Sequence, residues 1–355
     1  MIQYVYQKLC IEVFAMISKL SEMIKTIKNL PLNKHDSILK QLQSLIEVEQ
    51  KEIECCHHCG VVNDFVKYGI KNNKQRYKCK SCNKIFTEHT GTAFNYTHST
   101  KSEWTEVILD TLDGVSLRKT AKRLEISVNR VFTMRHLILN SIETYTENSS
   151  NTLDGEVEID DTYLLESVKG TKIGENYHRK PRKHGAVSSK RGISNEYVSV
   201  NVAVSRDGNS YSKSVNTSRP TILNVRDVFE SKINENSLVF CDGDKSFVNV
   251  FNDIASNVQI VDNNNQNKIE HINNVNGFHS QLKNRINNIY HGVATKYLNK
   301  YCALLSLVYK RNDKINEIVD FVFDLLSLNS DAYRVKINEL QNHNILDLGQ
   351  FVDLY

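Results

Sequence analysis

Glu156-Val157-Glu158-Ile159-Asp160-Asp161-Thr162-Tyr163 is the stretch on which the reading of this chain turns. Acids alternate with β-branched residues, so it reads as a strand with Glu158, Asp160 and Thr162 on one face and Ile159 and Asp161 on the other. Asp154, Glu156, Glu158, Asp160 and Asp161 lie within eight positions with no base among them. Alone, such a run is a solvated acidic edge. Two later segments change its meaning. Leu238-Val239-Phe240-Cys241-Asp242-Gly243-Asp244 is an apolar strand ending in an acid and a glycine, and ligands gather at such strand ends in open sheets. The helix expected over 275–290 sets Val275, Phe278, Leu282, Ile286 and Ile289 on its apolar face. Asn276, His279 and Lys283 form a polar face beside it. Two strand-borne Asp with a polar ligand from the helix can hold two Mg2+ ions about 3.5–4 Å apart, the arrangement that activates a nucleophile and stabilises the leaving oxygen of a phosphodiester.

The segments between these pieces complete a mixed sheet. Tyr197–Val204 is a β-branched run followed by Asp207-Gly208, a hairpin turn. A helix is expected after Pro220, another from 246, a short strand over 258–261 and a long helix over 293–328. Residues 157–164 are expected to pair with 197–204, and 238–242 to enter parallel beside 157–164. The loop over 169–191 is the densest basic run, with Arg179, Lys180, Arg182 and Lys183 at its centre. Beside an acidic metal site it reads as a clamp on a DNA strand; alone it is a basic surface loop.

Upstream, Cys56-His57-His58-Cys59-Gly60 and Cys79-Lys80-Ser81-Cys82 are two C-x-x-C knuckles separated by 19 residues. That spacing falls in the zinc-ribbon window, and four thiolates make a closed structural site with no open catalytic position. Cys55, His57 and His58 compete as ligands, but Gly60 after Cys59 favours the 56/59 register. Lys78 and Lys80 belong to a basic run interleaved with Tyr68 and Tyr77, suited to a phosphate backbone or to a solvated ribbon edge. Residues 116–138 carry the pattern of a helix-turn-helix, with Ser116 and Ser127 as caps and Ile126 as the apolar turn residue. Its basic side chains Arg118, Arg130 and Arg135, with Asn129 and Thr133, are candidates for contact with a major groove; the plain alternative is a helical hairpin.

The 355 residues carry 45 Lys and Arg against 41 Asp and Glu, a net charge of +4. A partner is therefore argued from the distribution of charge, not from its total. Hydrophobic residues make up 40%, enough for more than one core and too many for a disordered tail. Five of the 8 Cys fall between 55 and 82, which favours a metal site over a disulfide framework. No apolar run approaches the roughly 18 residues that span a bilayer, and Leu9–Ile17 is interrupted by Glu12. A cytoplasmic, nucleoid-associated protein is expected.

The motifs together resemble the bacterial insertion-sequence transposases of the IS1595 group, with an ISXO2-like catalytic domain. The resemblance is carried by Arg76–Cys82 with Thr90-Gly91-Thr92, by Ser116–Lys119, by Glu158–Tyr163, by Cys241–Phe247 and by His271–Phe278, over roughly 53–312. It implies an α+β multidomain chain: a zinc ribbon, a helix-turn-helix and an RNase H-like mixed α/β core of the DDE type. The expected divisions are a helical segment at 1–52, the ribbon at 53–95, the DNA-binding region at 96–148, the catalytic domain at 149–328 and a tail at 329–355. Carried over, Asp160 and Asp242 are the first two catalytic acids. Asn276 stands where many members have Glu, and Lys283 matches the lysine that follows. An amide oxygen is a weaker, neutral ligand, and some branches of the group have Asn here. The glycine-rich turn common after the first acid is replaced by Leu164-Leu165-Glu166. The implied activity is Mg2+-dependent cutting of double-stranded DNA at terminal inverted repeats and joining to target DNA, by a homodimer or larger assembly, with Zn2+ structural. The rival reading is a transposase-derived DNA-binding regulator with an idle centre.

Overall fold

Val157, Ile159, Val198, Val200, Val202, Val204, Val239 and Phe240 are all buried, and they lie on the central strands of one five-stranded sheet in a computed structural model of the chain. The structure describes residues 53–71, 74–95, 97–170, 179, 182, 187–255, 257–261, 271–309 and 315–327. The expected N-terminal helices at 1–52 and tail at 329–355 lie outside the described residues, as do Lys180 and Lys183. The chain divides into two units, Met1–Cys55 and Cys56–Tyr355, and every described helix and strand lies in the second.

A small antiparallel sheet comes first, of β1 (Phe65–Lys71), β2 (Lys74–Cys79) and β3 (Ile85–Phe86). Helices α1 (Lys101–Asp113), α2 (Leu117–Leu124) and α3 (Val128–Asn148) come next. The large sheet contains β4 (Glu156–Leu165), β5 (Tyr197–Ser205), β6 (Ser210–Thr217), β7 (Leu238–Cys241) and β8 (Asn257–Ile260), in the order β6-β5-β4-β7-β8. β4 and β6 run antiparallel to β5, whereas β7 runs parallel to β4 and β8 parallel to β7. The expected pairings of 157–164 are both present.

The two faces of this sheet take different helices. On one, Val200, Val202 and Phe240 pack with α6 (Asn273–Asn284) and with Leu298, Cys302 and Leu305 of α7 (Leu298–Val308). On the other, Val157, Ile159 and Val239 pack with α4 (Ile222–Phe229) and α5 (Lys245–Ile254). The opposite side of α7 gives Ala303, Leu304 and Leu307 to a third core, shared with α1, α3 and α8 (Ile315–Ser327). The single helix expected over 293–328 is therefore interrupted. Tyr309 takes extended backbone at the end of α7, and its hydroxyl donates to the Asn274 carbonyl oxygen at 2.8 Å.

Polar side chains close several helix ends. Ser116 and Ser127 cap α2 and α3 as their positions in the sequence imply. At the far end of α3, Lys232, only 6% exposed, donates to the carbonyl oxygens of Thr146, Glu147 and Ser149 at 2.8–3.0 Å. The C-terminus of α1 meets a π-helical turn at Arg285–Ile289 that directly continues α6. Arg285 donates to the Leu112 carbonyl oxygen at 3.1 Å and Tyr290 to that of Thr111 at 3.0 Å. Gly114, at φ +75°, lies so close to Ile289 that a Cβ would stand 2.1 Å from its Cγ2.

Candidate active site and metal centre

The cysteines of the small sheet converge. Gly60, at φ +75°, turns the chain so that its N–H reaches the Cys56 carbonyl oxygen at 2.8 Å. Backbone N–H groups of His58 and Cys82 point at the Cys56 and Cys79 sulfurs, both at 3.4 Å. Cys56 and Cys82 Sγ lie 3.7 Å apart, as do Cys59 and Cys79 Sγ, and all four sulfurs fall within 4.8 Å of one another. Sulfurs on one tetrahedral zinc at ~2.3 Å stand about 3.8 Å apart, so the cluster fits zinc binding. The N–H of Cys82 holds the Cys79 thiol down at about 7. Cys59 is pushed up to about 12: the Val61 N–H lowers it, but desolvation and the neighbouring sulfurs raise it more. A divalent cation would let all four serve as thiolates. Phe65, Tyr77 and Phe86 pack edge-to-face and tilted behind the cluster. His57 instead bonds the Thr90 carbonyl oxygen at 2.8 Å, and His58 that of Ile85.

The acids meet on the large sheet, where β7 ends beside the middle of β4. Glu156, Val157 and Glu158 on β4 stand opposite Leu238, Val239 and Phe240 on β7. Two residues further along each parallel strand are Asp160 and Asp242, on the face that carries α6. Burial first and then the Asp242 charge raise the Asp160 carboxyl to about 7, against the Asp161 N–H and Lys283. Asp161 is raised to about 6 by burial, opposed by the Tyr163 hydroxyl that bonds it at 2.6 Å. The Asp244 N–H donates to Asp242 at 3.1 Å, and Asp244 itself caps α5. Two neighbouring acids, one of them half-buried, form an oxygen donor set that suits a hard cation such as Mg2+.

Helix α6 brings the rest. His279 Nδ1 lies 3.8 Å from Asp160 Oδ2; burial and the Lys283 charge lower its imidazole to about 3, so it is neutral. Asn276 stands one turn before it, exposed, and Lys283 one turn after. Among the described residues, the four cysteines are the group of three or more His, Cys, Asp or Glu side chains gathered within 4.8 Å. At the acid centre the charges of Asp160 and Asp242 interact and His279 lies beside Asp160. Helical spacing sets His279 on this face and assigns it no role, and Glu158 reads from the sequence only as a neighbour of Asp160. Glu158 is fully buried and accepts hydrogen bonds from the first turn of α6.

Several arginines assigned to DNA are engaged inside the protein. Arg135 is 3% exposed and donates to the Val115 carbonyl oxygen at 2.7 Å; helical spacing places it on the outer face, but it reaches inward from α3 to the turn between α1 and α2. Arg179 pairs with buried Glu166 at 3.0 Å, and Arg182 with buried Glu196 at 2.7 Å. These two tie the basic loop to the ends of β4 and β5. Arg130 bonds Ser99 and Glu103 at 2.9–3.0 Å. Arg118 and Lys80 are exposed, and Lys78 lies 5.8 Å from the Tyr68 ring.

Comparison with known proteins bears on the sheet. Residues 152–312 match the family model of the ISXO2-like transposase domain. A protein described as uncharacterized, from transposable element ISH50 of Halobacterium salinarum, is 23% identical over 142 residues, or 40% of this chain and 47% of that protein. The match thus spans about half the length of that relative. A pre-cleavage Mos1 transpososome aligns over 68% of this chain and 83% of its own at 9% identity and a TM-score of 0.22. A Mos1 transposase paired-end complex aligns over 67% and 75% at 10% identity and 0.19. Superpositions at that level carry no weight for fold or chemistry. No helix among the described residues is long and apolar enough to cross a membrane.

Proposed function

We propose, residues 152–312 belonging to the ISXO2-like transposase domain family, that this chain is a DNA transposase that cuts transposon ends and joins them to target DNA. One observation carries the reading: Asp160, inside β4, and Asp242, just past the end of the parallel neighbour β7, stand close enough for their charges to interact, with His279 of α6 beside Asp160. The strand order, with β5 antiparallel to both neighbours, supports an RNase H-like core. Asp160, Asp242 and Asn276 would hold the divalent ions, which when bound supply Lewis acidity to the attacking and leaving oxygens. Lys283 faces the same centre and offsets charge on a phosphate. Water attacks phosphorus at the transposon end, the 3′-oxygen leaves with a proton, and the 3′-hydroxyl then displaces a target-strand 3′-oxygen in line.

The capped helix pair α2–α3 is read as a helix-turn-helix, with Arg118 and Asn129 toward DNA. The cysteine module is read as a Zn2+ ribbon beside it, presenting Lys78 and Lys80. Arg135, Arg179 and Arg182 leave the proposed DNA face. Joining two ends requires a dimer or larger assembly on the DNA.

The test is Mg2+-dependent nicking of a plasmid carrying the inverted repeats that flank the gene. Asp160→Asn and Asp242→Asn should each lower nicking on the order of 10³-fold, several kcal/mol of lost charge stabilisation, while binding to end DNA survives. The regulator reading is favoured by the neutral, exposed Asn276; it takes over if the wild-type protein binds ends but never nicks them.

A further inference from the structure

We propose that Glu158 is the positioning residue of the acid centre, fixing where Asp160, Asp242 and Asn276 stand relative to one another and so setting the affinity for divalent metal. This rests on the reading of those three residues as ligands.

Glu158 is 0% exposed. Its Oε2 accepts from the backbone N–H of Asn274 at 2.6 Å and of Val275 at 3.2 Å. Its Oε1 accepts from Asn274 Nδ2 at 2.7 Å, with His271 Nδ1 at 3.1 Å and Arg206 Nε at 3.4 Å. The residue before α6, Ile272, supplies no side-chain cap. A carboxylate from the neighbouring strand therefore closes the helix N-terminus, where the exposed N–H groups favour negative charge. The same Arg206 pairs with Glu156 and lies 4.6 Å over the ring of Phe240, the β7 residue in register with Glu158.

Three elements thus meet at one buried carboxylate. On both strands the proposed ligand stands two residues further on, Asp160 beyond Glu158 and Asp242 beyond Phe240, while Asn276 lies in the first turn of α6 on the side that carries His279 and Lys283. On a strand two residues return to the same face, one pleat along. An apolar side chain here would fill the space against Phe240 and Val275. The carboxylate adds direction, because its hydrogen bonds admit one height and rotation of α6. Groups that hold metal ligands in place in this way are worth about 10–100-fold in metal affinity.

The experiment uses the full-length, zinc-loaded protein bound to duplex carrying the flanking repeats. Mn2+ binding is followed by electron paramagnetic resonance, and nicking is measured against Mg2+ concentration. Glu158→Gln keeps the shape but turns an amide toward N–H donors. It should weaken Mn2+ binding about tenfold or more, raise the half-saturating Mg2+ in proportion and recover nicking at high metal, with end-DNA affinity unchanged. A lower melting temperature with wild-type Mn2+ affinity would show a purely structural role and overturn the proposal. Should Glu158→Gln fail to fold, Asn274→Ala removes the 2.7 Å arm alone; weaker Mn2+ binding supports the proposal and unchanged binding overturns it. Asp160→Asn separates the two ideas. If it leaves Mn2+ binding and nicking intact, the reading of the centre fails. If it abolishes both while Glu158→Gln changes neither, only the role of Glu158 fails.

Discussion

The four cysteines reach one another through two backbone turns, one just before the small sheet and one between its second and third strands, each knuckle aimed by its own N–H groups. Asp160, Asp242 and α6 come from segments more than thirty residues apart, and a buried carboxylate and an arginine hold them together. The first site carries its geometry in its local sequence. The second borrows it from the packing of a whole domain. Damage should therefore stay local in the ribbon and spread through the contacts of α6 in the acid centre.

The largest effect tests the first half of that contrast. Cys79→Ser should release zinc and unfold residues 53–95, since structural zinc contributes on the order of 10 kcal/mol to such modules. Hydrogen exchange should show β1–β3 deprotected and β4–β8 unchanged; deprotection of both sheets would break the contrast. Next, Gly114→Ala drives a Cβ into Ile289 at a positive φ. It should cost about 1–3 kcal/mol, lower the melting temperature by a few degrees and slow nicking, because the turn it displaces continues α6. Zinc content should not change. The smallest effects concern the helix pair. Arg118→Ala should weaken end binding by about 1 kcal/mol or less and flatten its salt dependence, as for one lost phosphate contact. Arg135→Ala should leave that salt dependence alone and lower stability instead, through its lost bond to Val115.

The knuckles, the caps at Ser116 and Ser127, and the central strands were legible because each is set by neighbours a few residues away. β4 and β7 were placed in parallel from their apolar runs and terminal acids, and the structure pairs them so. Local pattern could not say which cations have internal partners. Arg179 and Arg182 read as part of a basic run, yet Glu166 and Glu196, more than a dozen residues away in sequence, bind them. It also hid the break after Val308, since no glycine or proline marks it; Tyr309 leaves the helix to reach Asn274. Glu158 looked like one acid in a crowded run, and its role appears only when α6 is packed against it.

Helix α6 has 12 residues, a rod about 18 Å long, and it is fastened at both ends. Glu158 grips its start, and the turn that continues it is bolted to α1 through the carbonyls of Leu112 and Thr111. A rod pinned in this way behaves as a strut. Any rotation of α1 must either break those two bonds or carry α6, with Asn276, His279 and Lys283, along with it. The length between grip and bolt thus fixes the spacing between α1 and the start of α6.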